Sequence, residues 1–384
     1  MLEGRRLKVE VIGLGKAGLP LAAIIADAGF DVVGMDVNQQ HVAQINAGKN
    51  PFSEEPSLDA LIQRYGGKKI KATANAGQAA KECNVHIILV PLLLDGKNRP
   101  DFRYLDAAIS GMLDGLKKGD IVIVETTLPP GALENHVKPL VEGGGWKAGK
   151  DIFLAYSPER LMSGFAVSRF KEFPKIIGGV DGVSGEEAYE IYRKFVPQVK
   201  LVSNAKVAEM TKVAEGIYRD VNIALANELF KLCEKNGIDF NEVRKYANHE
   251  FCNIHEAGVG VGGHCIPVYP HFLIGMDPKG TPLTRLSREI NDGMIEYWIE
   301  QITWGLKKSG GKEVCIRGLT YRPGVKEFYH SRALALAQRL KEKGLQVYAW
   351  DSLLSQKEIE ALGLNYKKPQ DCKYVFDAHK AGRG

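Results

Sequence analysis

Residues 7–36, LKVEVIGLGKAGLPLAAIIADAGFDVVGMD, decide the fold of this chain. A strand-like apolar run at 7–13 ends in glycines, and a helix-like apolar run follows at 19–28. A second strand-like run at 30–36 completes the segment. This order of strand, glycine turn, helix and strand predicts a parallel βαβ unit at the start of an α/β fold.

The turn between the first strand and the helix, GLGKAG at 13–18, fits the pattern GxGxxG. Between a strand and a helix this pattern is typical of dinucleotide binding, because the glycines let the backbone approach a pyrophosphate at the helix N-terminus. The predicted cofactor-binding residues of the turn are Gly13, Gly15, Lys16, Ala17 and Gly18. The alternative is a glycine-rich turn that serves only the packing of helix against strand.

Asp36 ends the second strand-like run, 18 positions after Gly18. A carboxylate at this place accepts hydrogen bonds from the adenosine ribose hydroxyls and repels a 2′-phosphate. Asn38 follows, and no arginine stands beside the carboxylate to reverse that preference. The predicted cofactor is therefore NAD, with Asp36 among its ligands.

Strand-like and helix-like segments continue to alternate, which predicts a largely parallel sheet covered by helices. A Rossmann-like NAD-binding domain is predicted for residues 1–203. Its further strands are predicted at 84–91, 120–126 and 152–156, with 174–179 and 199–203 as extensions of the same sheet.

The pattern changes in residues 204–309, the predicted central helical domain. Residues 205–235 contain no proline, a single glycine and apolar residues at helical spacing. They predict one helix of about 45 Å, long enough to bridge two domains. Further helices are predicted at 240–247 and 283–308.

The βαβ rhythm returns in residues 310–384, the predicted small C-terminal α/β domain. Strands are predicted at 313–319 and 345–351, with a helix at 330–343 between them. The domain is short, and the tail DAHKAGRG offers little further strand.

Composition limits the classes of function. Apolar residues make up 45% and charged residues 25% of 384 residues, as in ordinary soluble globular proteins, and two or three domains are expected. The net charge of +5 is mild and no dense basic tract exists, so nucleic acid is not an expected partner. No apolar run is long enough for a membrane span and no secretory leader is evident, so we expect a cytoplasmic protein. The six cysteines lack metal-ligand spacing, which predicts free thiols and no metal.

Residues 258–270, GVGVGGHCIPVYP, form the most unusual segment of the sequence. Such a glycine-rich loop leaves the thiol of Cys265 little covered and surrounded by backbone N–H groups, as a nucleophile requires. A buried cysteine in a turn is the alternative. His264 could act as a base, but adjacent side chains usually point apart, and a role in holding the loop is the favoured interpretation.

Six segments, in the same order along the chain, resemble those of the UDP-glucose/GDP-mannose dehydrogenase family, the nucleotide-sugar 6-dehydrogenases. They are VIGLGKAGLPLA (11–22), ETTLPPG (125–131), YSPERLMSG (156–164), EMTKVAEGIYRDVNIALANEL (209–229), GVGGHCIP (260–267) and GLTYRPGVKE (318–327).

Within the family, SPER at 157–160 and RDVNIALANEL at 219–229 look more like the enzymes that act on UDP-N-acetylhexosamines. The resemblance implies UDP-N-acetyl-D-mannosamine as the best candidate substrate, with UDP-N-acetylglucosamine and UDP-glucose as alternatives. It also implies that the C-terminal domain binds the nucleotide-sugar and that the protein is a homodimer.

The resemblance further implies a four-electron oxidation of the sugar C6 alcohol to a carboxylate. Cys265 would add to the intermediate aldehyde as a thiohemiacetal, and a second hydride transfer would leave a thioester for water to release. Lys212 would stabilise oxyanions, Glu159 would serve proton transfer and thioester hydrolysis, and Thr127 would position water and contact NAD. The implied substrate-binding residues are Glu159, Arg160, Lys212, Arg219, Asn222, Gly262 and Arg322.

Three positions depart from the family's usual residues. Gly216 stands where an Asn commonly follows the lysine by four residues, Tyr269 where an Asp commonly follows the cysteine by four, and Tyr329 where an Arg is usual. The lost Asn removes one oxyanion donor, a kind of contact worth about 3 kcal/mol in catalysis.

Two other functions remain open. An ordinary two-electron NAD dehydrogenase, such as a 3-hydroxyacid dehydrogenase, would need no cysteine, so Cys265→Ser would barely affect it. A catalytically weakened homologue, suggested by the three departures, would bind NAD or a nucleotide-sugar without producing NADH.

Overall fold

The computed structural model describes residues 6–52, 55–161, 164–168, 170 and 172–381. Its contacts divide the chain into two compact units, residues 1–213 and 214–384. Both units carry a largely parallel sheet with covering helices, so the predicted α/β class is confirmed. The division into three domains drawn from the sequence stays a prediction.

The first unit is built around an eight-stranded sheet in the order β10-β9-β8-β7-β4-β1-β2-β3. The strands are β1 (Lys8–Ile12), β2 (Asp31–Met35), β3 (Ile70–Thr73), β4 (Val85–Ile88), β7 (Ile121–Val124), β8 (Phe153–Tyr156), β9 (Lys175–Gly179) and β10 (Val199–Leu201), and a separate antiparallel pair is formed by β5 (Leu93–Leu94) and β6 (Pro100–Asp101). The central strands read as unbroken apolar runs because both faces of the sheet are covered.

The sheet is parallel except at one place. Strand β9 runs antiparallel to β8, pairing Ala155 with Gly179, and β10 is parallel to β9. The segments at 174–179 and 199–203 therefore extend the sheet as predicted, although the first of them reverses its direction. The strand β3 was not predicted from the sequence, since Lys71 and Thr73 separate its buried residues Ile70 and Ala72 and leave no apolar run.

Seven helices of the first unit cover the two faces of the sheet. They are α1 (Gly18–Asp27), α2 (Gln39–Asn46), α3 (Pro56–Tyr65), α4 (Ala76–Glu82), α5 (Arg103–Met112), α6 (Lys138–Gly143) and α7 (Gly182–Tyr192). A π-helical turn, Leu133–Val137, precedes α6. Two apolar clusters result, one on each side, and they contain Val11 and Ile12 respectively, two adjacent residues of β1 that point to opposite faces.

The predicted long helix is present as α8 (Ala205–Asn236), which has 32 residues. The division between the two units falls inside it. Its interior glycine, Gly216, is buried.

The second unit continues with helices and ends in a four-stranded parallel sheet in the order β13-β12-β11-β14. Its helices are α9 (Phe240–Ala247), α10 (Tyr269–Met276), α11 (Pro282–Lys308), α12 (Arg332–Glu342) and α13 (Gln356–Ala361), and its strands are β11 (Glu313–Arg317), β12 (Gln346–Trp350), β13 (Asn365–Tyr366) and β14 (Val375–Asp377). The predicted strands at 313–319 and 345–351 and the helix between them are confirmed. Strand β14 completes the sheet beside β11, and Asp377 is the residue that it shares with the tail DAHKAGRG.

All six cysteines are free thiols, as predicted. None of the helices in the described ranges is long and apolar enough to cross a membrane.

Candidate active site

The glycine turn after β1 has the sterics of a dinucleotide loop. Gly13 has a φ of +94°, and a Cβ there would lie 2.3 Å from the carbonyl oxygen of Leu89. A Cβ on Gly18, the first residue of α1, would lie 1.8 Å from the oxygen of Gly13. By contrast, a Cβ on Gly15 would meet no described atom within 4 Å. Packing of helix on strand explains Gly13 and Gly18, whereas the open space at Gly15 suits close approach of a pyrophosphate.

Asp36 is held at the tip of β2 against the same loop. Its Oδ2 atom accepts a hydrogen bond from the Leu14 N–H at 2.8 Å, and its Oδ1 atom accepts one from the Asn38 N–H at 2.8 Å. The carboxylate is half-buried, so the backbone fixes it while part of it stays accessible to a ribose. Lys16 and Ala17, also half-buried, lead from this loop into α1. The residues present fit NAD.

The second unit repeats this arrangement, which the sequence interpretation missed. Gly318, after β11, has a φ of +82°, and the next N–H, that of Leu319, donates to Asp351 Oδ2 at 2.7 Å. Asp351 follows β12 as Asp36 follows β2. The sequence does contain a sign of this repeat. IGLG (12–15) and RGLT (317–320) both place Gly-Leu after a strand, and MD (35–36) and WD (350–351) both place Asp after the next strand. In both βαβ segments a hydrogen bond from a leucine N–H to an aspartate carboxylate thus ties the turn to the end of the neighbouring strand.

A polar cleft lies beside that second turn. The predicted substrate residues Gly262 and Arg322 line it, together with Arg332, which the sequence interpretation did not single out. Arg332 also donates from Nη2 to the carbonyl of Asp292 at 2.8 Å. Two guanidinium groups in one cleft suit a diphosphate.

Glu159 follows β8 in the first unit, and its backbone N–H donates to the carbonyl of Glu125 at 3.2 Å. Its Oε1 atom is buried and has no hydrogen-bond partner among the described residues. Burial raises the pKa of Glu159 to about 7, although the positive charges of Lys212 and Lys175 act to lower it. The carboxyl group can therefore exchange a proton near neutral pH.

Lys212 lies on α8 and is 7% exposed. Its charge acts on Glu159, so the structure brings these two predicted residues of the first unit near each other. Arg160, the neighbour of Glu159, is half-buried and donates from Nη1 to the carbonyl of Pro174 at 3.1 Å.

Thr127 is half-buried in the loop after β7. This loop is tied to α8 by Glu209, which accepts hydrogen bonds from the N–H groups of Gly131 at 2.5 Å and Leu133 at 2.8 Å. Glu209 precedes Lys212 by one turn of the same helix, and so it links the positions of Thr127 and Lys212. The sequence offered no local sign of this role.

Cys265 is exposed in the second unit. Its carbonyl accepts hydrogen bonds from the N–H groups of Val268 and Tyr269, both at 3.1 Å, at the start of α10. The preceding Gly263 has a φ of +92° and donates its N–H to the carbonyl of Tyr329 at 3.0 Å. A Cβ at Gly263 would lie 3.0 Å from the ring of Tyr321, so both the positive φ and this close approach favour glycine two residues before the thiol.

His264 is engaged on two sides. Its ring stacks on Tyr329 with centroids 4.1 Å apart and planes inclined by 8°, and its Nε2 atom contacts a carboxylate oxygen of Glu327. These contacts support a role in holding the cysteine loop. They also give Tyr329, one of the three departures, a packing function.

The other two departures contact each other. A Cβ on Gly216 would lie 2.4 Å from Cδ2 of Tyr269, whose side chain is 6% exposed. The tyrosine ring thus occupies the space that a side chain at 216 would need.

Arg219 is exposed and Asn222 half-buried on α8, and both bond to the backbone of their own helix. The inward-facing residue of the same motif is Asp220, which accepts from Arg288 Nη1 at 2.6 Å and from Asn291 Nδ2 at 2.8 Å. The structure therefore gives this motif a visible packing role, and substrate contact by Arg219 and Asn222 stays a prediction.

Among the described residues no group of three or more His, Cys, Asp or Glu side chains is arranged to hold a metal ion.

A Rossmann-like domain with a dinucleotide loop and an acidic residue after β2 defines the class: the protein is an NAD-dependent oxidoreductase. Residues 7–196 match the NAD binding domain of the UDP-glucose/GDP-mannose dehydrogenase family, and residues 206–293 match its central domain. The chain belongs to the UDP-glucose/GDP-mannose dehydrogenase family.

Similar proteins cover almost the whole chain. It is 37% identical to a UDP-N-acetyl-D-mannosamine dehydrogenase of Methanocaldococcus jannaschii, over 90% of this chain and 79% of the relative. It is 36% identical to a UDP-N-acetyl-D-mannosamine dehydrogenase of Campylobacter jejuni, over 96% and 91%. The solved UDP-N-acetyl-mannosamine dehydrogenase of Staphylococcus aureus superposes with a TM-score of 0.84 at 34% identity, over 97% of this chain and 88% of that one.

Proposed function

We propose that this protein oxidises the C6 alcohol of a UDP-N-acetylhexosamine, UDP-N-acetyl-D-mannosamine in the first place, to the uronic acid with NAD. The observation that carries the proposal is the similarity, over nine-tenths of the chain or more, to relatives named for that substrate. The NAD loop and the exposed thiol of Cys265 supply the chemistry that such a reaction needs.

Cys265 is the nucleophile. Its sulfur adds to the C6 aldehyde to give a thiohemiacetal, whose oxidation leaves a thioester, and water cleaves the C–S bond to return the thiol and the carboxylate. NAD, when bound, accepts a hydride in each of the two oxidation steps. Covalent capture keeps the reactive aldehyde on the protein between the steps.

Lys212 stabilises negative charge that develops in the reaction, and Glu159 transfers protons. Lys212 carries a positive charge on a nearly buried side chain, where it stabilises an oxyanion more strongly than it would in water. Glu159, with a pKa of about 7, takes a proton from the alcohol or from the attacking water. Thr127 positions that water.

The UDP group binds in the second unit. Arg322 and Gly262 line the polar cleft beside the turn at Gly318, and Arg332 adds a second guanidinium group. Substrate contacts by Arg160, Arg219 and Asn222 belong to the same proposal.

The experiment measures how many NADH molecules form per sugar in excess NAD. The limiting sugar is UDP-N-acetyl-D-mannosamine, its glucosamine epimer or UDP-glucose. Two NADH per sugar with one substrate, and near-complete loss of acid in Cys265→Ser, support the proposal. One NADH per sugar, unchanged in Cys265→Ser, identifies a two-electron dehydrogenase instead.

A catalytically weakened homologue is the second candidate function. The contact between Gly216 and Tyr269 favours it, because the two departures fill space with an aromatic ring where the family commonly has two polar side chains. Binding of NAD and UDP-sugar by calorimetry, without NADH from any of the three sugars, would establish it.

A cytoplasmic homodimer is the proposed assembly and location. Tyr218, Leu225 and Leu232 recur every seven residues on α8 and are 56%, 45% and 57% exposed, so they form one apolar stripe. A second copy of the stripe is a suitable cover for it, because a closed dimer interface uses the same patch on both subunits.

A further inference from the structure

Three buried polar side chains, those of Glu125, Lys175 and Tyr192, contact one another in the first unit. Glu125, which follows β7, accepts the ammonium of Lys175 on Oε2 at 2.5 Å and the hydroxyl of Tyr192 on Oε1. Lys175 lies on β9 and Tyr192 on α7, and the ammonium is 5.3 Å from the centre of the tyrosine ring. All three side chains are at most 7% exposed, so water screens the charges of the ion pair only weakly.

A buried ion pair of this kind needs an explanation other than stability. Taking two charges out of water costs about as much as their attraction returns, and apolar residues of the same size often serve the fold equally well. Neither Glu125 nor Lys175 belongs to the nucleotide loop or to the proposed reacting groups.

The cluster is directly connected to Glu159. The Glu159 N–H donates to the backbone carbonyl of Glu125, so the two acidic residues share a hydrogen bond between their peptide groups. Glu159 follows β8, whose last residue Tyr156 pairs with Gly178 of β9, and β9 begins with Lys175. The charges that act on the Glu159 carboxylate are those of Lys212 on α8, Lys175 on β9 and Glu125 after β7, and Glu159 in turn acts on the buried hydroxyl of Tyr156. Lys175 and Lys212 lower the pKa of Glu159, whereas burial and Glu125 raise it.

We propose that Lys175, held in place by Glu125 and Tyr192, is a positioning residue that keeps a positive charge beside the carboxylate of Glu159. This inference rests on the proposed role of Glu159 in proton transfer. Lys175 does not touch the reacting atoms; it acts through Glu159.

The test uses the full chain and compares a variant that loses a positive charge with one that loses a negative charge. In Lys175→Met we expect the titration midpoint of Glu159 to rise by about one pH unit, because a positive charge is lost. In Glu125→Gln we expect the midpoint to fall, because a negative charge is lost. Lys175→Arg keeps the charge and should restore the midpoint, and Lys200→Met, at an exposed lysine of β10, is the matched control.

The midpoint is read by difference infrared spectroscopy, as the C=O band of a protonated carboxyl that is absent in Glu159→Gln. The low-pH limb of kcat should move by the same amount, with KM for NAD unchanged. A cluster that only stabilises the fold would lower the melting temperature without moving the midpoint.

Lys175→Met leaves Glu125 buried without its partner, so the double variant Lys175→Met/Glu125→Gln is the second test, since it buries no lone charge. Its midpoint should lie about one pH unit above that of Glu125→Gln. Equal midpoints in these two variants, or shifts of the same sign in both single variants, overturn the inference. The infrared titration needs no substrate, so its outcome is separate from the NADH count that tests the proposed function.

Discussion

The ring of Tyr269 packs on the backbone of Gly216, where a Cβ atom would lie 2.4 Å from Cδ2 of the tyrosine. Each residue replaces one that is usual in the family, and each follows a proposed reacting residue by four positions, Cys265 for Tyr269 and Lys212 for Gly216. The two departures are therefore one structural change, because the tyrosine ring at 269 leaves room only for a glycine at 216.

This contact predicts strong coupling between the two positions. Gly216→Asn alone should lower the free energy of unfolding by about 1–3 kcal/mol through overpacking. Tyr269→Asp alone should also destabilise the protein, because it removes a buried ring. The double variant should be more stable than the sum of the single changes by at least about 1 kcal/mol, measured by urea unfolding.

Gly275→Asn is a matched control, since a Cβ there meets no described atom within 4 Å. Additive effects of the Gly216 and Tyr269 changes would contradict the coupling. If the double variant also gains acid formation over the wild-type protein, the ring limits the present activity.

The second prediction concerns the pH dependence of turnover. A base with a pKa of about 7 is charged only above that pH, so kcat should rise through neutral pH along a limb with its midpoint near 7. Glu159→Gln should remove the limb together with most of the activity. A midpoint near the ordinary value of a carboxyl group, about 4.3, would contradict the raised pKa, and a limb that persists in Glu159→Gln would exclude Glu159 as the titrating base.

The third prediction concerns stability and Glu209. Burial raises the pKa of Glu209 from 4.5 to about 7, although the N–H groups of Leu133 and Gly131 act to lower it. A carboxyl with a raised folded-state pKa binds its proton more tightly when folded, so its contribution to stability is lost as pH rises from about 4.5 to 7. As pH rises through that window, the free energy of unfolding of Glu209→Gln should increase relative to that of the wild-type protein by up to about 3 kcal/mol.

Urea unfolding of both proteins at several pH values measures this difference. Glu190→Gln is a suitable control, because its carboxylate pairs with Arg193 at an exposed place and does not act on Glu209. A difference between wild type and Glu209→Gln that is constant with pH would show that Glu209 keeps its proton affinity on unfolding.

The fourth prediction concerns the two equivalent aspartates. Asp36→Asn should raise KM for NAD roughly tenfold or more, because hydrogen bonds to a charged acceptor are worth about 1.5–3 kcal/mol. Asp351→Asn, at the matching position of the second unit, should leave KM for NAD unchanged. Steady-state kinetics with varied NAD measures both, and equal effects would refute the assignment of NAD to the first unit's loop.

The fifth prediction concerns assembly. Replacing Leu225 and Leu232 by Glu should convert the proposed dimer into a monomer, because two like charges in each copy would face one another in an apolar interface. Sedimentation velocity gives the mass directly. Trp304→Glu, which changes an exposed aromatic residue of α11, is the control and should leave the dimer intact.

The sequence alone determined the βαβ start, the position of Asp36, the long α8 helix and the α/β ending. Each of these is written in a local pattern: a period of two or 3.6 residues, a glycine at a turn, an acid at a strand end. Strand β3 and the reversed direction of β9 were not predicted, because β3 has no apolar run and the direction of a strand has no local signature.

Tertiary structure decided what the buried charges do. Glu125 is 50 residues from Lys175, Glu209 is 78 residues from Gly131, and Gly216 meets Tyr269 only because α10 packs on α8. A carboxyl group in the sequence has no definite pKa, since the desolvation and the neighbouring charges that set it come from distant segments. The sequence thus supplied the proposed reacting residues, and the fold supplies the surroundings that determine whether Glu159 holds a proton at neutral pH.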